Sequence, residues 1–298
     1  MVGRKRGKEI VYHILVAFGA LVMVYPLLWM ALSSFKPTDM VLPTADQLIP
    51  TTWTLDNYTR GWKGFMGYSF GTFFANSFFI SLVSTFGTLL SSAFVAYALQ
   101  RLKFKMRGLL FVLVLSTMML PAQILMIPQF MWYRHLNWVG TYYPMILPYF
   151  FAIQGFFVYL IMNFIGGIPK SLDEAAKIDG CSYYGIFFHV ILPLIVPALV
   201  TSAIFSFIWR WDDYLSALLY VNRANMRPVS LALQLFNDPS SGSDIGSTLA
   251  MSTLSIVPAT IIFLVFQKAF LGDAAAFFSK HDITTVFVGY LGVHLLRF

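Results

Sequence analysis

Six apolar runs dominate the chain, each close to or above the length that crosses a bilayer: Ile10–Leu32, Asn76–Gln100, Gly108–Ile127, Pro144–Ile165, Ile191–Ile208 and Thr248–Gln267. A hydrocarbon core of about 30 Å takes roughly 20 residues of helix, and only a helix satisfies all of its own backbone groups there. The pattern predicts an all-α, polytopic membrane fold with six transmembrane helices. Residues 1–9 form a basic tail, residues 10–270 the six-helix domain and residues 271–298 a C-terminal tail. Val286–Leu296 in that tail is apolar, but only about half the length of a spanning helix. An even number of spans puts both termini on one side.

Composition agrees with the pattern. Of 298 residues, 58% are hydrophobic and 11% charged, with a mean hydropathy of +0.72, whereas soluble domains carry about a quarter charged residues. The basic N-terminus runs into an apolar stretch too long for a signal peptide and without a small-residue cleavage site. The single cysteine, Cys181, excludes an intrachain disulfide and a thiol cluster for a metal.

Charge supplies the orientation. Thirteen basic residues fall on the face shared by the termini: Arg4, Lys5, Arg6, Lys8, Arg101, Lys103, Lys105, Arg107, Lys170, Lys177, Lys268, Lys280 and Arg297. The other face has seven, matched by seven aspartates. The positive-inside bias predicts both termini and the Ser171–Gly180 element in the cytoplasm. The formal +7 therefore reports topology and lipid contact, not nucleic-acid binding. Trp53, Trp62, Trp132, Trp138, Trp209 and Trp211 gather toward the outer face. They read as an interfacial aromatic belt, with a sugar-stacking platform as the sharper alternative.

The spans contain no Asp, Glu, Lys or Arg, and of the histidines only His13. Intramembrane charge is the usual mark of an ion or proton pathway, so ion-coupled transport is disfavoured. No nucleotide site supplies energy either, since Gly7-Lys8 is followed by Glu9 and lacks the upstream glycine of a P-loop. Gly67-Tyr68-Ser69-Phe70-Gly71 matches a nucleophile-elbow pattern, but in an outer loop without the strand, acid and histidine that such a site requires. The chain is predicted to be a transport subunit and not an enzyme, with its energy arriving from outside.

One polar element stands between spans four and five. Gly166, Gly167 and Pro169 close the fourth span, and Ser171 with Glu174 fits a capping box, predicting a helix from Leu172. Asp173 and Glu174 lie in its favourable first turn, and Gly180 suits a left-handed C-terminal position. A second helix is expected from Ser182 to Leu192-Pro193. The short helix would lie across the membrane surface and present Leu172, Ala175, Ala176 and Lys177, with Asp173 and Glu174 available to basic groups of a partner. An amphipathic helix resting on lipid is the alternative.

Glu174-Ala175-Ala176, Gly180 and Ile191-Leu192-Pro193 resemble the EAA motif of ABC importer permeases. Further segments resemble the carbohydrate branch, in particular the second permease of maltose-type importers. These are Ser34-Phe35-Lys36-Pro37, Thr54-Leu55-Asp56-Asn57-Tyr58, Asn76-Ser77, Ala96-Tyr97-Ala98, Leu120-Pro121, Ile127-Pro128, Trp211-Asp212-Asp213-Tyr214-Leu215 and Arg227-Pro228-Val229-Ser230-Leu231-Ala232-Leu233. The resemblance implies a heterodimer with a second, homologous permease, two ABC ATPase subunits, and an extracytoplasmic solute-binding protein that delivers an oligosaccharide or sugar derivative. It implies a place in a bacterial cytoplasmic (inner) membrane and no cofactor on this chain, with ATP and Mg on the ATPase. Leu172, Asp173, Glu174, Ala175, Ala176, Lys177, Asp179 and Gly180 would form the coupling helix and its turn. The unfamiliar sequence after Gln267-Lys268-Ala269-Phe270 departs from the family's tail. Gln123, Asn163, Ser202 and Ser206 are candidate polar residues of the pathway, against a local hydrogen-bonding role. Arg210, Arg223 and Arg227 could favour an anionic sugar, or pair with Asp212, Asp213 or Asp238. A self-contained channel or facilitator is the competing reading.

Overall fold

A computed structural model describes residues 2–236 and 244–278. Residues 279–298, with the Val286–Leu296 stretch, and Asp238 lie outside the described residues. Fourteen α-helical segments follow one another among the described residues: α1 Val2–Ser33, α2 Asp56–Lys63, α3 Phe70–Arg101, α4 Arg107–Met119, α5 Ala122–His135, α6 Tyr143–Ile146, α7 Gly155–Gly167, α8 Ser171–Ile178, α9 Tyr183–Ile186, α10 Leu192–Leu194, α11 Val196–Trp211, α12 Tyr214–Tyr220, α13 Val229–Phe236 and α14 Ile245–Phe278. Four stretches are long and apolar enough to cross a membrane: Tyr12–Ser33, Phe70–Arg101, Tyr143–Gly167 and Ile245–Phe266. Two bent pairs raise the number to six if each pair is one span.

Those two pairs differ from the straight spans expected of the sequence, and the causes are local. Span three breaks at Leu120 and Pro121, both extended, and α4 and α5 diverge by 104°. Proline has no N–H for the helix ladder and disfavours helical geometry in the residue before it. The helix expected from Ser182 runs from Tyr183 through a π-turn at Phe187–Ile191 to Leu194, and bends by 74° into α11, the rest of span five. Pro193 and Pro197 flank that bend. Span four contains a 3-10 turn, Leu147–Phe151, closed by Ala152 in left-handed geometry (φ +51°). Such a conformation is costly for a residue with a Cβ. It is held by Ser91, whose Oγ accepts from Ala152 N and donates to Tyr149 O.

The chain forms two compact units. Among the described residues, the first comprises those up to Ser77 together with those between Arg223 and Pro258, and the second Phe78–Asn222 together with those from Ala259 to Phe278. In the first, Phe70, Phe73, Val229, Ala232, Phe236, Ala250 and Met251 make a small apolar core. Beside it lies a polar hub. Asn57 is completely buried and donates to Ser34 O and Lys36 O, while its Oδ1 accepts from Thr38 and Arg60. The buried Lys36 Nζ donates to Thr44 O and Gln47 O, closing the turn that follows α1. Asn76 Nδ2 donates to Asn225 O and Arg227 O, and Ser77 Oγ accepts from Val229 N.

In the second unit the core is built from Ala93, Ala96 and Tyr97 of α3, Val158, Ile161 and Ile165 of α7, and Ile186, Phe187, Ile191 and Ile195. Small residues permit close helix approach where no water drives association. At Gly155 a Cβ would stand 2.4 Å from Val114 O, so α4 and α7 meet backbone to backbone. This core seats the helix–turn between α7 and α9.

Candidate functional site

The helix α8 begins on a turn that the sequence reading assigned differently. Its first backbone bonds run from Leu172 N to Pro169 O and from Asp173 N and Glu174 N to Lys170 O. Lys170 is the N-cap, its backbone is already helical, and no side chain caps the end. The expected Ser171–Glu174 capping box is therefore absent. A cap hydroxyl works only from an extended N-cap residue, and Ser171 lies one position inside the helix.

The other end follows the expectation. Gly180 has φ +82°, Gly180 N donates to Lys177 O, and Cys181 N reaches back to Ala176 O. This pair of bonds is a Schellman turn, which needs a left-handed residue at the glycine position. Ser182 then caps the next segment, its Oγ accepting from Gly185 N.

The turn divides the eight expected coupling residues into two sets. Leu172, Glu174, Ala175, Lys177, Asp179 and Gly180 are exposed. Ala176 is buried in the core, and Asp173, with 14% of its side chain exposed, lies 3.2 Å from Arg101 Nε. Asp173 thus faces its own chain, contrary to its expected availability to a partner, because it lies three residues before the buried Ala176 and shares its face of α8. Lys177 Nζ lies 5.1 Å from the Tyr183 ring centroid.

Three residues of this region were not among those expected: Ile178, Tyr184 and Arg101. Ile178 is 87% exposed on α8 and Tyr184 is 74% exposed beyond the turn. An isoleucine between Lys177 and Asp179 was a readable signal for the first. Arg101 gave none, since it stands in a run of basic residues that topology already explained.

The four pathway candidates do not meet in one described cleft. Gln123 is exposed on α5, Asn163 is half-buried on α7, and Ser202 and Ser206 are fully buried on α11. Neither serine hydroxyl has a hydrogen-bond partner, so the local role weighed for them is not seen. A cleft of about 430 Å³ is lined instead by Gln129, Trp132, Tyr133, Trp138 and Phe151 among others. Trp211 is buried against Phe78 and Phe207 and belongs to neither belt nor platform. Arg210 pairs with Asp213 at 3.2 Å, donates to Tyr149 Oη and covers the Tyr149 ring. Ser69 of the elbow-like pattern follows an isolated Phe65–Tyr68 bridge and precedes α3, without a nucleophile strand.

A set of apolar spans carrying a glycine-closed helix–turn on its own core defines a helical membrane protein. Residues 87–272 match the family of binding-protein-dependent transport system inner membrane components, and the chain belongs to that family. It is 38% identical over 257 residues to the arabinooligosaccharides transport system permease protein of Halalkalibacterium halodurans, covering 86% of this chain and 90% of the relative. It is 33% identical over 267 residues to the trehalose/maltose transport system permease protein of Thermococcus litoralis, covering 88% and 94%. A solved bacterial ABC transporter that imports the acidic polysaccharide alginate has a chain of similar fold. The TM-score is 0.77 at 26% identity, covering 88% of this chain and 96% of that one.

Proposed function

We propose that this chain is the permease subunit of an ATP-driven carbohydrate importer, forming half of the translocation pathway beside a second, homologous permease. Two ABC ATPases carry ATP and Mg, and a solute-binding protein delivers an oligosaccharide from the other side. Helix α8 is the coupling helix, with Leu172, Glu174, Ala175, Lys177 and Ile178 toward the ATPase and Gly180 making the turn. The carrying observation is that α8 is fixed to the core by one face while Ile178 stands out of the other. An amphipathic helix on lipid would turn its apolar side chains the same way, but it would not need the Gly180 turn to project them from a buried base.

Gln123, Asn163, Ser202 and Ser206 remain the proposed polar residues of the pathway. Resemblance to the alginate importer favours an anionic sugar as a second reading. Arg210 does not supply that charge, because Asp213 and Tyr149 engage it. Reconstitution with the partner permease, the ATPase and loaded binding proteins tests the function. Uptake of neutral oligosaccharides or uronides is expected to require ATP and to stimulate hydrolysis, while equal uptake without the ATPase would make the chain a facilitator.

Both termini and α8 are assigned to the cytoplasm. Cys181 is exposed at the end of the turn. An impermeant maleimide is expected to label it in inside-out vesicles and not in right-side-out ones, and the reverse pattern would invert the topology. In the assembled importer the bound ATPase should slow this labelling.

A further inference from the structure

The inner face of α8 is as specific as the outer one. Arg101, the last residue of α3, is 4% exposed at its side chain. Its Nη2 donates to Ile168 O, just past the end of α7, and to Ile165 O, which also accepts from Ile168 N at the C-cap. The guanidinium therefore sits at the negative end of α7 and 3.2 Å from Asp173 of α8. Three helices converge on one cation.

A second attachment lies beyond the Gly180 turn. Tyr97 Oη donates to Tyr183 O, and the Phe94 and Tyr97 rings stand 4.7 and 5.2 Å from the Phe187 ring. Positions 94, 97 and 101 recur at helical spacing, so one face of α3 holds the element on both sides of its turn. The ion pair is nevertheless incomplete. Arg101 Nε makes no aligned hydrogen bond and Asp173 Oδ1 is buried without a partner, although a guanidinium and a carboxylate can close as a two-bond fork. Arg101 is thus fixed by α7, while Asp173 is held by charge and can shift without breaking a directed bond.

We infer that Arg101 and Asp173 are positioning residues that pass displacement of α8 to α3 and α7, a role that rests on reading α8 as the ATPase contact. The outer face of α8 receives the movement, and the Arg101–Asp173 contact hands it to the spans. The Tyr97–Tyr183 bond keeps the element from swinging about that single point. Removing the charge should then uncouple hydrolysis from transport without releasing the ATPase.

The test is the sugar transported per ATP hydrolysed, measured in the reconstituted complex. Asp173→Asn is expected to co-purify with the ATPase but to transport at least tenfold less sugar per ATP, and Asp173→Glu to recover much of the loss. Arg101→Met with Asp173→Leu should lose no more than the worse single variant, since both act through one contact. An unchanged ratio in assembled Asp173→Asn complex would overturn the inference. Loss of the ATPase from that variant would also overturn it, by making Asp173 a docking or folding residue. Ile178→Asp separates the two readings: if it retains both ATPase and uptake, the docking role of α8 fails, whatever Asp173→Asn does.

Discussion

Ile178→Asp is expected to strip the ATPase from the complex and abolish uptake while leaving the amount of chain in the membrane unchanged. The side chain is 87% exposed, so its own fold loses almost nothing, and surface changes of this kind usually stay within about 0.5 kcal/mol. At the ATPase surface the balance is different. Burying an isoleucine side chain stabilises by about 1.5–3 kcal/mol, and an aspartate there would be desolvated without a designed partner. At about 1.4 kcal/mol per decade, the apolar loss alone weakens binding about tenfold to hundredfold, before the charge penalty. Co-purification and titration of ATPase onto permease in nanodiscs check it, and unchanged affinity would remove α8 from the interface. Ala176→Asp makes the contrast, since that position is buried in the core and the chain itself should fail to accumulate.

The spans were legible because apolar length is a coarse signal that needs no knowledge of partners. Their breaks were less so. Pro121 and Pro193 were visible as residues, yet proline within a membrane helix is compatible with either a kink or a full break. What decides is whether neighbouring chain takes up the freed backbone, and that depends on distant packing. Several paired segments showed the reverse. Ser34–Pro37 and Thr54–Tyr58 were recognisable separately and meet through Asn57, with Ser34 Oγ and Tyr58 Oη 2.7 Å apart. Asn76-Ser77 likewise meets Arg227–Val229 through two side chains that bond backbone. At the candidate site the Gly180 turn was readable because only its own backbone determines it. The inward placement of Asp173 was not, because it depends on which face of α8 packs on the core and on an arginine 72 positions earlier. The unmet Ser202 and Ser206 hydroxyls were also out of reach, since sequence gives a hydroxyl's type and never its neighbours.

Asn57→Leu is expected to produce a large loss of stability at the polar hub after α1. Both N–H donors of this amide are used, on Ser34 O and Lys36 O, and its oxygen accepts from Arg60 and shares the Thr38 hydroxyl proton with Asp244. Leucine fits the volume but strands both carbonyls, at about 1–3 kcal/mol for each buried unsatisfied group. A loss of about 3 kcal/mol or more is a large share of the roughly 5–15 kcal/mol that holds a domain together. Arg60→Ala should cost less, because its 3.6 Å contact with Asp244 joins side chains 47% and 27% exposed and is screened by water, and at Asn57 Oδ1 it removes one of two donors and strands no carbonyl. Asp244 adds a pH dependence with a definite sign. Burial would raise its carboxyl, but hydrogen bonds from Ser247 Oγ and N and from Thr38, together with the Arg60 charge, hold it below the usual value. A depressed carboxyl contributes stability above its unfolded pKa and loses it as pH falls through the folded one. Thermal midpoints in detergent should therefore be flat near neutrality and drop in acid, and Asp244→Asn should lose part of that acid-dependent drop. Asn57→Leu should lower the midpoint at every pH, because its broken bonds carry no titrating proton. A midpoint for Asn57→Leu within a degree of the unchanged protein would show that water replaces the amide at this hub, leaving the turn after α1 to be held by Lys36 alone.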